Sequence, residues 1–345
     1  MTNLLEPTNS SSIRAISSFL TCYFIPVNWE NPTYVYVMGI VTSTLNALFV
    51  VPAFFGNVMV IAAIFRTPSL HSPSNFLICS LAATDFLTGV LCQPLHVVYK
   101  VAELSGDFDT FCKGRVAMEI IGWIVSAVSC VTLCMISIER YLALHFHLRY
   151  HDIISIPKLI LPISISWATF TLLSVSRFFN TNSTSVFTMV NMSILVLSLL
   201  LTFWAYAKIY SIVRRHRRQI QSLQRASHLS GNQTEMNSLD FAKYQKSTTT
   251  MFLVLGLFLL CYIPFLCVQI ASKMVGYTSS IKVAIQFSGT VAFMNASFNP
   301  VVYCLRIQHL RCACRKLIPF LKNREQANNL SLSHTNAAHN DITNN

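Results

Sequence analysis

The residues with chemistry to do are those polar groups that stand inside apolar sequence. Asp85 lies about ten residues, roughly 15 Å of helix, into one apolar run. An ionisable group at that depth is costly unless partnered, so it marks function by default. Candidate partners are Asn57, Ser129, Asn295 and Asn299, the last two being four apart and so on one helix face. A carboxylate among neutral oxygens can take up a proton, hold a small cation such as sodium, or simply pin helices together. The packing network carries more weight than the bound ion. A second charged feature, Glu139-Arg140-Tyr141, ends the apolar run Met118–Ile138. Arginine at such a boundary can anchor at the lipid surface or act as a working group. No paired acid or metal-ligand set accompanies these residues, which excludes an intramembrane hydrolase. Cys312-Ala313-Cys314 is too closely spaced for zinc and has no partner pair.

Helices must position these groups, and lipid must be their solvent. The 345 residues are 53% hydrophobic and 11% charged, against about 25% charged in a soluble domain. Mean hydropathy is +0.52. Seven segments are long enough to cross about 30 Å of hydrocarbon: Tyr34–Phe65, Asn75–Tyr99, Lys113–Leu144, Lys158–Arg177, Val186–Val213, Lys246–Ala271 and Ile281–Cys304. Backbone groups in lipid must be satisfied locally, so an all-α seven-transmembrane bundle follows. Pro52, Pro94, Pro162, Pro264 and Pro300 then become kinks rather than breaks.

Charge placement predicts the orientation. With the N-terminus outside, eighteen of the 25 Lys and Arg residues fall on the inner side and seven on the outer. The net charge of +12 is therefore a membrane signature and not a nucleic-acid surface. The organisation is an extracellular tail (1–33), the membrane domain (34–304), a short amphipathic helix on the inner membrane surface (305–320) and a disordered cytoplasmic tail (321–345). Asn9 and Asn182 head glycosylation sequons on the outer side. For Cys312 and Cys314 two readings stand side by side, palmitoyl anchors or unmodified thiols.

The ordered set of motifs resembles the rhodopsin-like (class A) G-protein-coupled receptors over about Val51–Leu317. It comprises Gly56-Asn57-Val58, Leu81-Ala82-Ala83-Thr84-Asp85, Glu139-Arg140-Tyr141, Trp167, Pro264 and Asn299-Pro300-x-x-Tyr303. The resemblance implies a multi-pass plasma-membrane receptor with an extracellular small-molecule or peptide ligand. It also implies a heterotrimeric G protein, and arrestin, as partners, and movement of span six on activation. By the same resemblance, Glu139, Arg140, Tyr141, Tyr206, Asn299, Pro300 and Tyr303 form the G-protein switch, and Phe258, Tyr262 and Pro264 the activation core. Asn57, Asp85, Ser129, Asn295 and Asn299 match a sodium pocket; no other cofactor is implied.

Departures from the family pattern are informative. Arg115 holds the usual cysteine position at the top of span three, and the loop Phe178–Ser185 has no cysteine. The family bridge is absent, and the outer partner for Cys112 is Cys22; a bond tethering the tail and two free thiols both stand, with the oxidising compartment favouring the bond. Ser198 replaces the usual span-five proline, and Tyr262 the usual span-six tryptophan. These features lean toward the melanocortin, cannabinoid and adenosine side of the family. Phe293 replaces the retinal lysine of opsins, and Gly122 the aspartate of amine receptors, so neither of those ligand classes is expected. Gln93, His96, Glu119, Gln269 and Gln286 are the ligand-pocket candidates. The acids near Glu119 interleave with Lys100, Lys113 and Arg115, which favours local ion pairs over a cation site. The rival reading is a transporter or channel with Asp85 in a cation path; the absence of internal repeats counts against it.

Overall fold

Where the sequence offers twenty or more apolar residues together, the backbone closes its own hydrogen bonds, and the chain is helical almost throughout. The computed structural model describes residues 20–29, 31–146, 150–179, 183–230 and 235–317. Helix α1 spans Thr33–Arg66 and α2 spans Pro73–Leu87. A single wide turn, Thr88–Cys92, joins α2 to α3 (Gln93–Ser105). Then follow α4 (Phe108–His145), the one-turn α5 (Tyr150–Ile153), α6 (Ile156–Ser176), α7 (Ser183–Ser230), α8 (Glu235–Val275), α9 (Ser279–Arg306) and α10 (Gln308–Leu317).

The wide turn has a local cause. Pro94 cannot donate to the helix ladder and its ring crowds the preceding turn, so the backbone opens to a five-residue bond, Gln93 N–H to Thr88 O. Gly89 makes the opening possible. A Cβ there would lie 2.9 Å from Ala53 Cβ on α1. The helix ends are equally legible. Gly106 (φ 81) closes α3 in the left-handed region, and Asp107 begins α4 by accepting from Thr110 N–H at 3.1 Å.

Among the described residues six helical stretches, α2 and α3 together (Pro73–Ser105) counting as one, are long and apolar enough to cross a membrane by length and composition. The seventh, α9, is 28 residues long but more polar, because Lys282, Gln286, Thr290, Asn295 and Asn299 turn inward and are buried. It packs chiefly against α1 and α8. The main apolar core includes Leu81, Leu133, Tyr206, Phe258 and Tyr303. Helix α10 buries Leu310, Ala313 and Cys314 against it and turns Arg315 and Lys316 outward, as the amphipathic reading predicts.

Two features add to this reading. The polar linker after span five is helical at both ends: α7 runs to Ser230 and α8 starts at Glu235. The stretch 214–230 contains no Gly or Pro and is rich in helix formers, so nothing stops it at the apolar boundary. The all-α reading also omits a small antiparallel hairpin, β1 (Leu20–Cys22) and β2 (Ile25–Val27). Cys22, Ile25 and Val27 are buried in a second apolar cluster with Tyr99, Phe111 and Val116. The sequons at Asn9 and Asn182 and the tail 321–345 lie outside the described residues.

Candidate functional site

The bundle has two working ends, one carrying the hairpin and the other Arg140. At the hairpin end a cavity of about 220 Å³ opens between α3, α4, α7, α8 and α9, with Arg177 reaching it from just beyond α6. Cys22 and Cys112 are disulfide-bonded, with Cα atoms 5.4 Å apart, which fixes the hairpin over α4. Phe24 and Ile25 of the hairpin reach the cavity wall. Phe24 and Tyr23 meet Phe178 edge-on, while Trp29 packs on Phe108 and Phe111. The tail thus covers the mouth, where the short Phe178–Ser185 loop has no cysteine to anchor. Lys282 holds the strap from below, donating to Asn28 O at 2.7 Å and to Asn31 Oδ1 at 3.1 Å.

Of the five pocket candidates, four line the cavity: His96, Glu119, Gln269 and Gln286. Gln93 is fully buried but is not part of the wall, a correction that follows from its place at the kinked start of α3. His96 Nδ1 pairs with Tyr99 Oη at 3.2 Å. Gln286 is 2% exposed, and both its side-chain heteroatoms lack a partner.

The charged residues sort into ion-pair groups, as their interleaving suggests: an exposed Lys113–Asp109 pair at 2.6 Å and two buried groups. Glu103 is shared by Lys100 and Lys282. Glu119 accepts from Arg177 Nη2 at 2.7 Å, with Arg115 Nε 3.9 Å away. Arg177 also lies over the Phe24 and Phe187 rings, at 3.9 and 4.5 Å. The sequence alone does not bring Arg177 and Arg115 into the pocket. Each reads as one more basic residue at a helix end, and only the fold turns them inward. Tyr277, beyond the end of α8, also joins the wall; burial holds its hydroxyl above the usual tyrosine range, against the Arg115 guanidinium.

Deeper in the cavity stand Trp123, Phe265, Phe293 and Tyr262. Tyr262 donates to Ser126 Oγ at 3.4 Å and stacks on Phe258, with ring centroids 4.1 Å apart. Phe258 belongs to the main core, so the stack links cavity to core along one helix. Pro264, two residues beyond Tyr262 inside α8, is exposed.

Between the two ends lies the polar cluster. Asn299 Nδ2 donates to Asp85 Oδ2 at 2.8 Å. Asn57 Nδ2 donates to Ala53 O at 2.7 Å and across to Ala296 O at 3.0 Å. Asp85, Ser129, Asn295 and Asn299 are all buried, and Oδ1 of Asn57, Asn295 and Asn299 has no partner. One carboxylate with buried, unpartnered carbonyl oxygens on neighbouring helices is a donor set that suits sodium. Pro300 packs on Gly56, where a Cβ would lie 3.0 Å from the ring. Tyr303 is fully buried and its hydroxyl lacks a partner.

At the opposite end, Glu139 Oε2 lies 3.4 Å from Arg140 Nε. Its other oxygen accepts from Ser74 at 2.6 Å and from Tyr150 at 2.5 Å. Burial and the neighbouring Glu139 raise the Tyr150 hydroxyl above its ordinary range, so it stays a donor. Tyr150 is absent from the motifs that single out this region; its role depends on the turn after α4. Tyr141 stacks on His145 and meets Trp204 edge-on, and Tyr206 is buried against Phe252. On α10, Cys312 is exposed, whereas Cys314 is buried with its thiol against Cys304.

A helical bundle with a covered cavity at one end and a restrained arginine at the other is a membrane receptor. The model of the 7 transmembrane receptor (rhodopsin family) matches residues 56–303, and the chain belongs to that family. It is similar to trace amine-associated receptor 4 of Rattus norvegicus, 27% identical over 78% of this chain and 82% of the relative. It is also similar to 5-hydroxytryptamine receptor 4 of Rattus norvegicus (27%, over 80% and 75%) and the D(1A) dopamine receptor of Xenopus laevis (25%, over 82% and 75%). These relatives replace the melanocortin, cannabinoid and adenosine side as the neighbourhood of this chain. The protein is thus a multi-pass membrane receptor, not an enzyme, that binds an extracellular ligand and couples to a G protein; the transporter reading is not favoured.

Proposed function

We propose that the ligand enters the cavity beneath the hairpin from outside the plasma membrane and acts through the Tyr262–Phe258 stack. The observation that carries this reading is that stack: one ring faces the cavity, the next is in the core, and both ride on α8. A ligand displacing Tyr262 rotates or tilts α8, and the core repacks around Phe258. At the far end α8 swings away, Arg140 leaves Glu139, and a G protein or arrestin docks against the opened face. The relatives are named for amines, but an amine requires a free acid. Here Gly122 offers none, and Glu119 is already engaged by Arg177. The ligand is therefore not a monoamine. Sodium at Asp85 holds the resting arrangement by tying together helices that must separate.

Nucleotide exchange on a purified G protein by receptor in lipid nanodiscs tests this reading. Measurable exchange without ligand is expected, because the region Ala242–Lys246 supplies no acid as a second restraint on Arg140. Arg140→Ala should reduce exchange at least tenfold, and sodium should depress the wild type but not Asp85→Asn. Wild-type activity in Arg140→Ala would refute the switch. Indifference of the wild type to sodium would refute the ion.

A further inference from the structure

Resting on the reading of the hairpin-end cavity as the ligand site, we propose that it takes a small organic carboxylate, with Arg177 and Arg115 as its anchor. The charge balance of the wall is one-sided. Arg115, Arg177 and Lys273 line it, and Glu119 is the acid among its described residues. Glu103 does not redress this, being shared by Lys100 and Lys282.

The two guanidiniums are also short of acceptors. Arg177 is 4% exposed and spends Nη2 on Glu119, while Nε and Nη1 have no hydrogen-bond partner among the described residues. Arg115 is 8% exposed; its guanidinium is hydrogen-bonded to Tyr99 and Tyr277, while its Nε, 3.9 Å from Glu119, makes no hydrogen bond among the described residues. Buried guanidinium donors without acceptors are expensive, and a planar carboxylate is the group that matches their fork. Gln286, with both its heteroatoms unpartnered on the same wall, can serve a second polar group of the ligand.

The remainder of the cavity sets the body of the ligand. Trp123, Phe265 and Phe293 make an aromatic interior. A volume of about 220 Å³ lies below the roughly 300–1,000 Å³ of drug-sized sites, so it suits one ring on a short chain. An arylalkanoate fits this description. The matching arylalkylamine would set its ammonium against Arg115 and Arg177.

The test uses full-length receptor in nanodiscs and matched probes: phenylacetate, 3-phenylpropanoate and indole-3-acetate against phenethylamine, 3-phenylpropylamine and tryptamine. Thermal stabilisation and G-protein nucleotide exchange are read together. At least one acid should raise the melting temperature at millimolar concentration, and its amine counterpart should not. Arg177→Gln should weaken that acid at least tenfold, Arg177→Lys by less. Arg177→Gln leaves Glu119 with Arg115 as its remaining partner, so the preference for the acid over its amine should narrow. Ligand-free melting temperatures establish that each variant is folded. Stabilisation of the wild type by the amines, by neither series, or by acids equally in Arg177→Gln overturns the proposal. If exchange dependent on Arg140 persists in such a case, only the carboxylate assignment fails; if that exchange is absent, the receptor mechanism fails with it.

Discussion

Glu139 is the residue on which the resting state depends most directly. Its carboxylate faces Arg140 and accepts from Ser74 and Tyr150, so three elements hold it in place. Hydrogen bonds to a charged group contribute about 1.5–3 kcal/mol, and roughly 1.4 kcal/mol is a tenfold shift in a conformational equilibrium. Glu139→Gln should therefore raise ligand-independent nucleotide exchange several-fold, with Tyr150→Phe acting in the same direction and more weakly. Exchange by Glu139→Gln at or below wild type would show that Arg140 is held by something else. The Glu139-Arg140-Tyr141 motif is readable from the chain because it interrupts an apolar run. Tyr150 is not, since it lies beyond the end of α4, where helical spacing no longer relates it to Glu139.

Helices α1 and α2 show how an element is shaped by a close approach. The wide turn at Thr88–Cys92 follows from Pro94, but it fits only because Gly89 lies directly on Ala53. Gly89→Ala places a Cβ at 2.9 Å from Ala53 Cβ, and overpacking of this kind costs about 1–3 kcal/mol. The melting temperature should fall by several degrees, and Ala53→Gly should restore most of the loss. An undiminished melting temperature in Gly89→Ala would mean that the two helices separate freely. The kinks at Pro94 and Pro300 are visible in the sequence. Which glycine meets which partner is not, because Gly89 and Ala53 are brought together by helix packing alone.

The whole molecule is a bundle whose mouth is covered by its own tail. The Cys22–Cys112 bond and Lys282 fasten that cover at separate points. Eighteen of the 25 basic side chains lie on the Arg140 side of the predicted spans, which predicts that the hairpin faces outward. An N-terminal epitope tag should be detected on intact cells without permeabilisation, and glycosidase should shorten the protein unless Asn9 and Asn182 are both replaced. Detection only after permeabilisation would invert the topology.

Hydrophobic length, proline kinks and the spacing of Asp85, Arg140 and Asn299-Pro300-x-x-Tyr303 are one-dimensional quantities. They determined the helices and the receptor family, because in lipid every backbone group must close its bond within the helix. The Cys22–Cys112 pairing was also legible, by elimination among outer cysteines. The cavity was not. Arg115, Arg177 and Gln286 are far apart in the chain, and periodicity within one helix says nothing about the rotation of its neighbour. Only packing against Phe24, Phe187 and Glu119 decides that Arg177 turns inward. That rotation gives the pocket its positive charge.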